Sequence, residues 1–172
     1  ADPSTCRGRV SVLMKKGDQR EFRDLLFPGL SRMEAAKLLP EYFMTIRSIV
    51  IGGYRRDGVE DVGQARRQRT YSAGFEMTCA DSVVRFGNAV YFARLVLPYT
   101  NEVIHVARVD VFQTVGKTAR SGEQIVNVQN FFFRGYIRAG ELLRMVTFAA
   151  VLKADRKSEH DRKVLYCSPE YL

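Results

Sequence analysis

The chain has 172 residues, of which 46% are apolar and 11% aromatic. That is enough to bury a sizeable core, and it excludes a collagen-like, low-complexity or wholly disordered chain. No apolar run approaches the roughly 18 residues of a membrane-spanning helix, so no membrane insertion is expected. Lys plus Arg number 27 against 19 Asp plus Glu, a net charge of +8, and 20 of the 27 cations are arginine. The planar guanidinium fork suits phosphate, carboxylate and aromatic faces, so the charge permits nucleic acid or a nucleosome as partner. Both halves share the excess and there is no basic tail, so a binding face has to be assembled by folding.

Ala1-Asp2-Pro3, without an initiating Met, reads as a cloning remnant or a processed end and is set aside. Residues 9–14 alternate as a short strand. Lys15-Lys16-Gly17-Asp18 reads as a turn, and 19–27 as a strand or a helical turn broken by Pro28-Gly29. Ser31 stands three residues before Glu34, the capping-box spacing, and opens a helix of about two turns that ends at Pro40. The β-branched and aromatic run 42–51 predicts one strand, ended by Gly52-Gly53. Residues 54–69 are crowded with charge and predict a long loop. From Thr70 onward the pattern is mostly β: strands over 70–78, 89–97, 102–115 and 125–138. Arg85-Phe86-Gly87-Asn88 reads as a turn, and loops are expected over 116–124 and 153–163. Residues 140–152 fit helix or strand equally, and 164–167 form a closing strand. No repeat or domain boundary interrupts the pattern. The expectation is a single domain over 1–172 of α+β, β-rich class: a bent sheet or partly open barrel with one or two short helices.

Chemistry-bearing motifs are sparse. Gly116-Lys117-Thr118 lacks the earlier Gly of a phosphate-binding loop, because position 111 is Val111. Cys6, Cys79 and Cys167 form no CxxC pair, and His160 stands with Asp155, Glu159 and Asp161 in a charged loop. His105 lies mid-strand among apolar residues, where a packed histidine is expected. If Cys79 met it in space, the two could form an enzyme's nucleophile and base, but no spacing calls for that. No catalytic residue, metal site or cofactor is expected. The basic clusters are better marked. Arg55 and Arg56 follow the double glycine, and Arg66, Arg67 and Arg69 form the densest run. These five are the candidate nucleic-acid contacts. No Asn-x-Ser/Thr sequon occurs, which points to a nuclear or cytoplasmic protein; a processed start keeps secretion open.

Aromatics crowd the β-rich half. Strand geometry puts Phe131 and Phe133 on one face and Phe132 on the other; the expectation is a core on both sides, with core on one side and an exposed platform on the other as the alternative. Exposed rings of this kind stack bases or enclose a methylated lysine.

Gly87-Asn88-Ala89-Val90-Tyr91-Phe92, Val106-Ala107-Arg108-Val109, Val128-Gln129-Asn130-Phe131-Phe132-Phe133-Arg134 and Asp161-Arg162-Lys163-Val164-Leu165-Tyr166-Cys167-Ser168 occur in that order. Together they resemble the strands of a bromo-adjacent homology domain over roughly 83–172. Gly135 stands where that family usually has Pro, and Phe131 where it usually has Trp. The resemblance implies a β-rich, chromatin-associated interaction module without catalysis. It carries over Phe131 as a peptide-binding cage position or a core position, and makes the first 80 residues an extension packed on the module. The function expected is therefore a non-enzymatic binding module for chromatin, histone or nucleic acid. The alternative is a secreted or surface protein–protein interaction domain with one disulfide among its three cysteines.

Overall fold

A computed structural model describes residues 10–46, 48–51, 54–57 and 73–167. Within them lie β1 (Val10–Leu13), α1 (Lys16–Leu26), α2 (Arg32–Leu38), β2 (Tyr42–Ile46), β3 (Ser48–Ile51) and β4 (Tyr54–Asp57). There follow β5 (Ala73–Thr78), β6 (Val84–Val96), β7 (Val103–Lys117), β8 (Gln124–Arg138), a 3-10 turn (Ala139–Glu141), β9 (Leu142–Ala150) and β10 (Asp161–Tyr166). The class is β-rich α+β with two short helices, as the composition and pattern predict. Eight strands form one sheet in the order β1-β2-β6-β5-β9-β10-β8-β7, and β6 also pairs with β7. β3 and β4 pair separately, with Ile51 opposite Tyr54.

The chain divides into two compact units. The first takes Ala1–Asp61, Val90–Arg108 and Gly135–Gly140; the second takes Val62–Ala89, Val109–Arg134 and Glu141–Leu172. β6, β7 and β8 are long enough to give one part of their length to each.

In the first unit β1 pairs with β2 (Val12 opposite Phe43), and β2 pairs with β6 (Ile46 opposite Phe92). Its core gathers Met14, Phe22, Leu39, Phe43, Leu95, Ile104, Val106 and Tyr136. The Phe22 ring stacks on Tyr136 at 4.3 Å and meets Phe43 edge-on at 5.5 Å. In the second unit β5 lies between β6 and β9, and β10 pairs with both β9 and β8. Phe86, Phe112, Val126, Val146, Phe148 and Val164 form its core.

Four expectations need correction. Residues 15–18 are the start of α1 rather than a turn: Asp18 accepts the Lys15 amide at 3.2 Å, which satisfies a donor the helix leaves open. Residues 42–51 are two strands in two different sheets, and 54–57 of the expected loop are strand β4. The remainder of that loop, 58–69, lies outside the described residues. Residues 85–88 are strand, not turn, and the turn falls at 79–83, where Ser82 takes a positive φ of 63°. Gly87 is there because the neighbouring backbone crowds it. A Cβ at that position would stand 2.0 Å from the Asp110 carbonyl oxygen and 2.8 Å from the Val111 Cα. Residues 140–152 resolve as a 3-10 turn followed by β9. The helix expected after Ser31 forms as read, with the Ser31 hydroxyl accepting from the Glu34 amide at 3.2 Å and the Glu34 carboxylate accepting from the Ser31 amide at 3.0 Å.

Gly87→Ala is expected to destabilise the fold by about 3 kcal/mol or more, since backbone atoms cannot yield to a methyl group. Gly116→Ala, with no atom near its Cβ, should change stability by no more than about 1 kcal/mol. Chemical denaturation of the two variants beside wild type checks this; equal losses would contradict the close approach at Gly87.

Candidate functional site

An 11-residue helix is marginal alone, so the direction α1 faces is set by what it packs on. Phe22, Leu25 and Leu26 supply the apolar side and join the first unit's core. Asp18 and Glu21 lie on or beside that side. The Tyr136 hydroxyl donates to Asp18 Oδ1 at 3.1 Å, and the Tyr91 hydroxyl lies 2.6 Å from that of Tyr136. Glu21 is bound by Arg108, whose guanidinium sits 5.1 Å from the Tyr136 ring centre. Both carboxylates of this side are thus engaged by the sheet.

The opposite side carries Lys16, Arg20 and Arg23, at i, i+4 and i+7, within an arc of roughly 60°. Pro28-Gly29 then turns the chain, with Gly29 at φ 93°, a conformation that glycine adopts without strain. The turn brings Arg32, the first residue of α2, to the same place. Lys16, Arg20, Arg23 and Arg32 line a cleft of about 280 Å³. Arg23 pairs with the exposed Asp24 at 3.3 Å. Among the described residues no carboxylate pairs with Lys16, Arg20 or Arg32.

In the second unit the middle of β8 is unusual. Residues 125–127 are buried, but 129–134 are exposed on both faces of the strand. Phe131, Phe132 and Phe133 retain 37%, 42% and 40% of their surface, so neither face closes over into the expected core. The Arg134 guanidinium lies 4.4 Å from the Phe131 ring centre, and that of Arg85 lies 3.5 Å from Phe132. Asp81 holds Arg85 at 2.8 Å and Asp110 holds Arg134 at 3.0 Å. Phe131 rests against the buried Phe112, 5.8 Å between centres.

No protein-family model, curated protein or solved structure matches the chain.

Function is therefore read from its own residues. Of the arginines singled out in the sequence, Arg55 and Arg56 lie on β4 opposite Val50 and Ile49, while Arg66, Arg67 and Arg69 lie outside the described residues. Phe131 is exposed, with one face carrying Arg134. The cleft of Lys16, Arg20, Arg23 and Arg32 was missed, although its signal was present: cations at helical spacing interleaved with Asp18, Glu21, Phe22 and Leu25. Reading 15–18 as a turn hid that phase.

Elsewhere the chemistry is structural. Gly116 and Lys117 end β7, and the hairpin loop that follows is clasped by Glu123, which accepts from the Thr118 and Ser121 hydroxyls. Those two hydrogen bonds, Ser121's the larger effect, hold the Glu123 carboxyl at about 2. The buried Asp161 accepts from the Lys157 and Ser158 amides at 3.0 and 3.1 Å and from Asn127 at 3.3 Å, shaping the loop before β10. Among the described residues no three His, Cys, Asp or Glu side chains gather as metal ligands. Cys79 and Cys167 are free thiols, and Cys6 lies outside the described residues. Burial pushes the Cys79 thiol up, and its charged neighbours are Arg85 and Asp81. Burial also pushes His105 down, favouring the neutral ring.

Burial, then the hydrogen bond with Tyr91 and the charge of Asp18, hold the Tyr136 phenol protonated well above its ordinary range. A raised folded-state pKa contributes stability that is complete below the unfolded value near 10 and is lost as pH climbs past it. From about pH 10 upward, wild type should lose stability relative to Tyr136→Phe by up to about 1.4 kcal/mol per pH unit. Denaturation midpoints collected from neutral pH into that range test the seat of α1, and parallel curves for the two proteins would rule it out.

Proposed function

We propose that the chain is a non-enzymatic binding module whose ligand is a phosphodiester backbone, held in the cleft of Lys16, Arg20, Arg23 and Arg32. One observation carries this: four cations from two helices converge on a single cleft while Asp18 and Glu21 of α1 are engaged by the sheet, the exposed Asp24 pairing with Arg23. Like charges brought together repel, so the arrangement is stabilised by an anion with regularly spaced charge. Phosphate suits it, because guanidinium groups bind its oxygens through paired, charge-assisted hydrogen bonds and lysine adds a compact point charge. The net charge of +8 adds long-range attraction that raises the rate of encounter and falls with salt. The same cleft suits the chromatin setting implied by the resemblance to a bromo-adjacent homology domain. Arg55, Arg56, Arg66, Arg67 and Arg69 would extend the contact where the chain presents them.

Fluorescence anisotropy with labelled oligonucleotides across a salt series tests the proposal. Four backbone contacts give a log–log slope of about −3 to −4, from roughly −0.7 per phosphate on single strands to −0.9 on duplex. Arg20→Gln should flatten the slope by about 1 while moving stability by less than about 0.5 kcal/mol. Absence of binding at low salt, or a slope indifferent to Arg20→Gln and Arg32→Gln together, would refute the cleft as the phosphate site.

A further inference from the structure

We propose that the exposed middle of β8, residues 129–134, is a stacking platform for unpaired bases, so that the preferred strand is single. This rests on the phosphodiester reading above and adds the form of nucleic acid. Three adjacent phenylalanines, each two-fifths exposed in the middle of a strand, leave apolar surface in water that a ligand would cover. The rings already accept planar partners. The guanidinium groups of Arg85 and Arg134 lie over Phe132 and Phe131 at 3.5 and 4.4 Å. A base meets the same geometric demand, either on a ring or on the outer face of a stacked guanidinium.

Arg134 is suited to the second mode, since its side chain is 58% exposed and is fixed by Asp110. Phe131 is fixed from beneath by Phe112, so little freedom is lost when a base lands. Gln129 and Asn130, exposed on the same stretch, offer amide donors and acceptors to base edges. A duplex hides its base faces within its own stack, whereas an unpaired strand presents them. An acidic peptide would use the arginine charge but gains less from flat ring faces, and Asp81 and Asp110 already offset that charge.

The experiment compares oligothymidylate of about 20 nucleotides with an abasic oligonucleotide of equal length and backbone charge, at one salt concentration, using the full chain. Wild type is expected to prefer the base-bearing strand by about fivefold or more. Phe133→Ala and Phe131→Ala should each erode that preference while leaving abasic affinity and the salt slope in place. The chain has no Trp, so Phe133→Trp creates a single indole emission. Oligothymidylate should quench it and the abasic strand should not. Thermal melts accompany every variant, and Phe133→Trp with Phe132→Trp carry the test if loss of the Phe131–Phe112 contact unfolds Phe131→Ala.

Equal wild-type affinity for both strands, or a base preference indifferent to the phenylalanines, overturns the platform while the backbone cleft stands; the rings then mark a protein-docking surface. Failure of both oligonucleotides to bind sinks the phosphodiester reading, and the platform with it.

Discussion

The seat of α1 on the first unit's sheet is the interaction on which the candidate site depends. Asp18 receives both the Lys15 amide and the Tyr136 hydroxyl, so one carboxylate closes the helix start and ties it to β8. Phe22 stacks on the same tyrosine ring, and Arg108 lies over it while binding Glu21. Hydrogen bond, ring stack and ion pair therefore converge on one phenol. Because helix positions are fixed in phase, fixing Asp18, Glu21 and Phe22 inward fixes Lys16, Arg20 and Arg23 outward. The cationic stripe needs no contacts of its own to be held in place. Its position follows from what the other side of the helix buries.

The second unit solves a different problem. Its core is made of large rings and β-branched side chains, and strands must still approach within ladder distance. Gly87 permits this where a side chain would strike the Asp110 and Val111 backbone. Beyond that close approach the strands carry arginine over aromatic rings: Arg85 on Phe132, Arg134 on Phe131, and Arg144 on Tyr166 at 4.0 Å. Arg144 also pairs with the buried Glu76 at 3.0 Å, which keeps that carboxylate's charge matched. Each of these three guanidinium groups has an acid to hold its position and a ring to lie on.

Much of the fold was legible because its signals are local. The Ser31–Glu34 box is a sequence pattern whose hydrogen bonds close within four residues, and it formed as read. The long β runs after Thr70 were legible from β-branched and aromatic content. Gly87-Asn88 misled, because a glycine that admits a neighbouring backbone looks the same in sequence as one that turns the chain. Only tertiary packing separates the two. Lys15-Lys16-Gly17-Asp18 misled for a related reason: its composition is that of a turn, and the helix start there is tied down in part by Tyr136, far away in sequence. The exposure of Phe131, Phe132 and Phe133 ran against the pattern as well. Alternation assigns faces but not which faces are covered, and here both are open. The cationic cleft required three things at once, namely the phase of α1, the inward turn of Asp18 and Glu21 and the sharp bend at Gly29. The sequence carries each of them separately and weakly.

The exposed phenylalanines have a second side. A run of three in an extended strand has the composition of segments that pair with copies of themselves and seed fibrils. Natural sequences flank such runs with charged gatekeepers that raise the cost of self-pairing. Arg134 ends this run directly, and Arg85 is laid across its central ring. The two arginines that prepare the rings for a planar partner thus also stand in the place of such gatekeepers. A substitution that neutralises both would exchange solubility for stickiness before it altered the fold.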